Sequence, residues 1–129
     1  HAVIVDTVGS ADTERAADAT GALYRRAGRV QAWREGAAHA RGDRVVLFTA
    51  GDAPQTHWVQ VVERHFLVAP QKPALIPMSG MVASLRERFV FLVNGRGIGA
   101  GLVIPRMMAA GGRLERAPVR LPVLRERVE

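Results

Sequence analysis

The sequence predicts a small single-domain α/β protein whose mainly parallel sheet is flanked by helices. Three short apolar segments, residues 2–8, 44–50 and 89–93, are rich in β-branched or aromatic residues and are predicted to be buried strands. Longer amphipathic segments separate them, and strands that alternate with helices are typical of a parallel sheet covered on both faces. The alternative is an α+β fold with an antiparallel or mixed sheet, which follows if residues 59–68 and 102–108 are strands.

Caps and apolar periodicity predict the helices between these strands. Ser10 is the expected N-cap of the first helix, which should run to Ala27 and end at Gly28. Residues 58–66 place apolar side chains at helical spacing, which favours a helix over a strand. Residues 51–54 are interpreted as a turn, a cap and the start of that helix.

The second half of the chain is expected to contain two more helices. Residues 79–88 are predicted to be helical, with Met81, Val82 and Leu85 facing the core. Residues 102–110 form a possible further helix, in which Pro105 must occupy the first turn or break the helix. Short strands are possible at residues 30–33 and 74–78.

Length and composition indicate one domain. A chain of 129 residues has the size of an ordinary domain and can bury a core without covalent staples. Residues 1–112 are predicted to form the compact α/β body. Residues 113–129 form a basic C-terminal strand or arm of the same domain, in which Pro118 and Pro122 exclude a helix.

Composition narrows the classes of function. The chain has no cysteine, which excludes disulfide scaffolds, cysteine-ligated metals and thiol catalysis. The net charge is +6, and Lys72 is the only lysine beside 17 arginines, so acidic partners are favoured and nucleic acid is possible. No secretory signal or membrane-spanning segment is recognised. We therefore expect a cytoplasmic location, or one within an intracellularly assembled particle, and no membrane partner.

A glycine-rich loop at residues 94–101 is the candidate ligand site. It is expected to follow a strand and precede a helix, the setting in which backbone N–H groups approach a phosphate. Its candidate ligand-binding residues, for a nucleotide with Mg, are Gly95, Arg96, Gly97 and Gly99. The alternative is a plain loop, because the motif comes late in the chain and lacks the Gly-Lys-Ser/Thr ending of a P-loop.

Asp6 and Asp52 are the candidate catalytic residues. Each follows a predicted strand, and the carboxyl ends of parallel strands meet at one edge of a sheet, which suits a magnesium-dependent phosphohydrolase. Aspartates at such positions are also ordinary cap and turn residues. His57 and His65 lack the spacing of a helical zinc pair, so no metal site is predicted. Without a complete catalytic set, an enzyme is not favoured and no cofactor is expected.

The C-terminal segment is the candidate interface. Its arginines alternate with leucine and valine, which suits an arm that buries apolar side chains on a neighbour and pairs charges at the rim. The alternative is the last strand of the domain's own sheet. The candidate interface residues are Arg113, Arg116, Arg120, Leu121, Leu124 and Arg125.

The function that these features favour is a non-enzymatic structural or assembly module. Such a module self-associates or docks on a protein partner, for example as a subunit of a ring, shell or virion-like connector. A nucleotide- or phosphate-binding domain and a nucleic-acid-binding domain are the alternatives.

Overall fold

The computed structural model describes residues 2–94, 97–114 and 117–127. Within these ranges, helices and strands form a mixed domain, as the sequence predicted. The strands are β1 (Val3–Asp6), β2 (Leu23–Arg26), β3 (Arg44–Val46), β4 (Asp52–Pro54), β5 (Ala74–Leu75), β6 (Leu102–Pro105), β7 (Val119–Arg120) and β8 (Arg125–Arg127). The helices are α1 (Ala11–Thr20), α2 (Ala32–His39), α3 (Trp58–Val68), α4 (Met81–Asn94) and α5 (Arg106–Gly111).

A four-stranded sheet in the order β3-β6-β5-β7 forms the centre of the fold. Strand β6 is antiparallel to both of its neighbours, whereas β7 runs parallel to β5. Residues Leu102, Val103 and Ile104 of β6 are fully buried. Because side chains alternate along a strand, they feed two separate cores, one on each face of the sheet.

Helices cover both faces of this sheet. One core contains Ala37 of α2 and Ala109 of α5, and the other contains Val62 of α3. The C-terminal segment closes the second core, since Leu121 and Val123 are buried in it. The domain therefore has three layers with a sheet in the middle.

The first 26 residues form a parallel β–α–β unit beside the central sheet. Strands β1 and β2 pair from Val3 with Leu23 to Asp6 with Arg26. Helix α1 starts at its Ser10 cap as predicted, but it ends at Thr20 rather than at Ala27. Gly21 adopts a left-handed conformation (φ 75°) that stops the helix and turns the chain into β2.

Four further segments differ from the prediction. Residues 89–93 are part of α4 rather than a strand, because the helix that begins at Met81 continues without interruption to Asn94. Residues 102–105 form β6, and Pro105 is the N-cap of the short helix α5. Residues 52–54 form β4, which pairs with β8, and the adjoining helix begins only at Trp58. In the segment 30–33, where a short strand was possible, residues 30–31 form a turn and Ala32 and Trp33 begin α2.

The sheets are mixed, as in the α+β alternative, and not mainly parallel. Two strand pairs are parallel and three are antiparallel among the named strands. The physical reason is that residues 89–93 are helical and residues 102–105 are a strand, so the central sheet is joined by connections that reverse chain direction. The helix over residues 59–68 is confirmed.

Candidate protein-docking surface

Helix α4 has three large apolar side chains in contact with solvent. Val82 is 77 %, Leu85 60 % and Phe89 64 % exposed. Residues three, four and seven positions apart lie on the same face of a helix. These residues therefore form one continuous stripe, which we call the outer stripe.

Arginines flank the outer stripe on both sides. Successive residues of a helix are rotated by about 100°, which places Arg86 about 40° beyond Val82 and Arg88 about 60° beyond Leu85 on the opposite side. Both arginines are exposed. The surface thus combines an apolar centre with a cationic rim.

The opposite face of α4 is held to the domain by polar contacts. Glu87 accepts a hydrogen bond from the Met78 backbone N–H (3.1 Å) and forms an ion pair with Arg125. Ser84 accepts a hydrogen bond from the Arg120 guanidinium (3.1 Å). An ordinary surface helix turns its apolar stripe towards the core and its charges towards water. Among the described side chains of α4 the arrangement is the reverse, which contradicts the inward position predicted for Val82 and Leu85. The side chain of Met81, the third residue of that prediction, lies outside those that the structure describes.

Arg125 is the group that positions this helix. Its side chain is 3 % exposed and reaches the carboxylates of Asp52 on β4 and Glu87 on α4. It also donates to the backbone carbonyls of Ile76 (2.8 Å) and Ala100 (3.1 Å). A buried guanidinium needs this many acceptors because each N–H taken from water without a partner costs free energy. Arg125 therefore connects four parts of the fold.

Gly101 makes room for this guanidinium. Its φ is +87°, and a Cβ built there lies 2.6 Å from the Arg125 Nε and 2.8 Å from the Ile76 carbonyl oxygen. A side chain at position 101 is therefore excluded by both conformation and space. This glycine of the predicted phosphate loop serves the packing of Arg125.

Two of the predicted interface residues lie inside the domain, and three are exposed. Leu121 and Arg125 are buried within this chain, and Arg120 contacts Ser84. Leu124 is partly exposed, and Arg113 forms an isolated bridge with Gly97. Arg116 lies outside the described residues. In the ranges that the structure describes, the C-terminal segment pairs with strands of its own chain, as in the alternative interpretation.

The glycine-rich loop does not have the strand-loop-helix order predicted for it. A helix precedes it and strand β6 follows it, so the expected helix N-terminus is replaced by a strand. Gly97 pairs with Arg113, and Gly99 has open space around its Cα. Gly95 and Arg96 lie outside the described residues.

The two candidate catalytic aspartates belong to separate sheets and separate hydrogen-bond networks. Asp52 accepts from the Thr49 N–H (2.9 Å) and pairs with Arg125. Asp6 pairs instead with the loop that precedes α1. Across the described residues, His, Asp and Glu side chains do not gather in groups of three that could hold a metal ion.

Asp6 organises the loop between β1 and α1. Its carboxylate accepts the backbone N–H groups of Val8 (2.9 Å), Gly9 (2.9 Å) and Ser10 (2.7 Å), and the hydroxyl of Tyr24 (2.7 Å). These bonds hold the pKa of Asp6 well below its usual range, with the Gly9 N–H as the largest cause. Because the loop N–H groups are bonded to Asp6, they are not free for a phosphate.

We expect Asp6→Asn to lower the urea midpoint clearly at pH 7 and much less near pH 2. The native pKa of Asp6 is lowered, so its stabilising effect is complete above the unfolded-state pKa of about 3.9 and is lost as the pH falls below it. Urea denaturation of both proteins across this range measures the difference. The exposed Asp18→Asn is the matched control and should shift the midpoint little at either pH. An Asp6→Asn effect that is equal at both pH values contradicts this role.

Comparisons of the chain with known protein families, with curated proteins and with solved structures found no significant match. Function is therefore inferred from the geometry of the surface. Among residues 2–94, 97–114 and 117–127, no helix combines the length and the apolar character that crossing a bilayer requires.

The outer stripe was missed by the sequence reasoning for a specific reason. Its spacing was visible, and Val82 and Leu85 had been placed on one face. Phe89 was assigned to a strand, so the third member of the stripe was lost. The available signal was the continuation of the helical spacing from Val82 and Leu85 to Phe89, with Arg86 and Arg88 on the two sides.

Proposed function

We propose that this domain is a non-enzymatic assembly module that docks on a protein partner through the outer stripe of α4. The observation that supports it best is the reversed amphipathicity of the described side chains of this helix. Three large apolar side chains face water while Glu87 and Ser84 face the domain. Contiguous exposed apolar surface rimmed by polar groups marks interaction sites. The polar tether fixes the orientation of the helix, so the stripe is preorganised for docking.

The partner that fits this surface is an amphipathic helix whose apolar stripe is flanked by carboxylates. Arg86 and Arg88 lie on the two sides of the stripe, and Glu87, the nearest acidic residue on α4, is paired with Arg125. An acidic rim on the partner therefore complements the surface, whereas a second copy of α4 brings arginine against arginine. Paired helices bury such stripes against each other with charges at the flanking positions.

A designed peptide tests this proposal directly. We expect saturable binding of a fluorescent three-heptad helix with leucine at positions a and d and glutamate at e and g, followed by anisotropy. The same peptide with lysine at e and g should bind at least about tenfold more weakly, since like charges then face Arg86 and Arg88. Glutamate repulsion keeps the first peptide from pairing with itself.

Variants locate the binding on α4. Leu85→Ser should weaken peptide binding by about tenfold or more, the effect expected for a central apolar contact. Leu67→Ser on α3 is the matched control, because Leu67 is also a solvent-facing leucine (85 % exposed) and should leave the affinity unchanged. The proposal is wrong if neither peptide saturates the protein, or if both variants weaken binding equally. A dimer in light scattering that Leu85→Ser dissociates would instead identify a second copy as the occupant.

A further inference from the structure

A second surface, lined by residues outside α4, is an open cleft between β1 and β3. It has a volume of about 850 Å³. Helix α2 borders it on one side through Trp33 and Ala37, and Trp58 borders it on the other. The two strands form its remaining walls, so the cleft lies in the plane of the sheets.

Both strands end a sheet at this cleft. Within the described residues, β1 pairs only with β2, and β3 pairs only with β6. The carbonyls of Ala2 and Asp6 accept hydrogen bonds from the β2 side. Backbone groups alternate in direction along a strand, so Val3 and Val5 direct their N–H and C=O groups towards the cleft.

Strand β3 presents its edge in the same way. The Leu47 N–H donates to the Leu102 carbonyl (2.9 Å), and the Leu47 carbonyl accepts from the Gly101 N–H (2.7 Å). The neighbouring residues, Val46 and Phe48, therefore direct their backbone groups away from β6 and into the cleft. Each of the two strands that line the cleft therefore has a row of backbone donors and acceptors on the side away from its paired strand.

The lining of the cleft sets the chemistry of its occupant. Most of the lining side chains are apolar, and the charged residues among them are Arg41 and Arg44. Both lie at the amino-terminal end of β3, and the described lining residues include no carboxylate. The Arg44 guanidinium contacts the Pro70 carbonyl (3.4 Å) and the ring of Phe66, which lie outside the lining, whereas Arg41 is exposed.

We propose that the cleft binds an extended peptide segment of a protein partner, which adds a strand between β1 and β3. Only a polypeptide strand offers donors and acceptors to both edges at the spacing of a sheet. The segment carries apolar side chains at alternate positions and a carboxylate at the end that lies beside Arg41 and Arg44. The added strand joins the β1–β2 pair to the central sheet.

The probe is a blocked peptide of alternating valine and threonine with glutamate at one end, made in both orientations. Bound peptide should protect the amides of Val3, Val5 and Val46 from hydrogen exchange. Methylation of alternate peptide nitrogens should abolish binding, since it removes strand donors without removing apolar surface. A peptide that binds in a simple apolar pocket tolerates this methylation.

Protein variants complete the test. Arg41→Gln should weaken binding of the acidic peptide by about three- to tenfold and leave binding of a neutral peptide, with glutamine in place of glutamate, unchanged. Leu85→Ser on α4 should leave both affinities unchanged, which separates this site from the outer stripe. The proposal is overturned if neither orientation of the peptide saturates the protein, if the methylated peptide binds as well, or if the protected amides lie outside β1 and β3.

Discussion

Replacement of Arg125 by methionine is expected to lower the free energy of unfolding by about 3–5 kcal/mol, the cost of leaving buried charges without their partner. The Asp52 carboxylate is fully buried, and that of Glu87 is 12 % exposed. Methionine fills much of the volume but supplies no donor to either carboxylate or to the Ile76 carbonyl. Urea denaturation at pH 7 measures the change.

Controls separate this effect from the loss of a positive charge. Arg64→Met removes an exposed arginine from α3 and should change the free energy of unfolding by less than about 0.5 kcal/mol. Arg125→Lys keeps the charge but loses the planar fork, so its stability should fall between the wild type and Arg125→Met. A wild-type midpoint for Arg125→Met contradicts the anchoring role assigned to this residue.

The anchoring also predicts where the destabilisation is felt. Glu87 is tethered by Arg125, so loss of Arg125 should loosen α4 together with β4 and β8, the elements that this guanidinium joins. The core that contains Ala37 and Ala109 depends on apolar contacts around β6. The amides of that core should therefore exchange faster only through global unfolding.

Local signals in the sequence were sufficient for several elements. The β-branched run before Asp6, the Ser10 cap and the apolar spacing of residues 58–66 each identified an element that the structure contains. In these segments, propensity, periodicity and capping agree with one another. These signals were sufficient to predict a domain with helices on both faces of a sheet.

The predictions were wrong where a short apolar segment is compatible with either a strand or a helix. Residues 89–93 are as apolar as a buried strand, and residues 102–105 are a strand that was assigned to a helix. Periodicity over four or five residues does not separate these cases. Residues 23–26 were not predicted to be a strand, because Arg25 and Arg26 interrupt the apolar pattern. This strand pairs with β1, whose residues lie 20 positions earlier in the chain.

The candidate site depends on contacts that local sequence does not contain. Arg125 and Glu87 are 38 residues apart, and Arg125 and Asp52 are 73 apart. Arg125 follows Leu124 and precedes Glu126 in a basic segment, so the local sequence does not indicate that its side chain is buried. Since these ion pairs turn the polar face of α4 inward, the direction of its apolar stripe follows from tertiary structure alone.

Reversal of the rim charges has the second large expected effect. In the double variant Arg86→Glu/Arg88→Glu, the lysine-flanked peptide should become the preferred ligand. We expect the ratio of the two peptide affinities to change by about 100-fold, equivalent to about 2.7 kcal/mol, since two repulsive contacts replace two attractive ones. The preference should weaken at high salt because both arginines are exposed. Circular dichroism should remain that of the wild type, because neither arginine contacts the core.

The ratio of affinities for the glutamate- and lysine-flanked helices, measured on the wild type and on Arg86→Glu/Arg88→Glu, is the most direct test of the docking function. If α4 is the docking surface, the wild type prefers the acidic helix and the double variant prefers the basic one. If the ratio is the same for both proteins, the outer stripe of α4 is not where the partner binds.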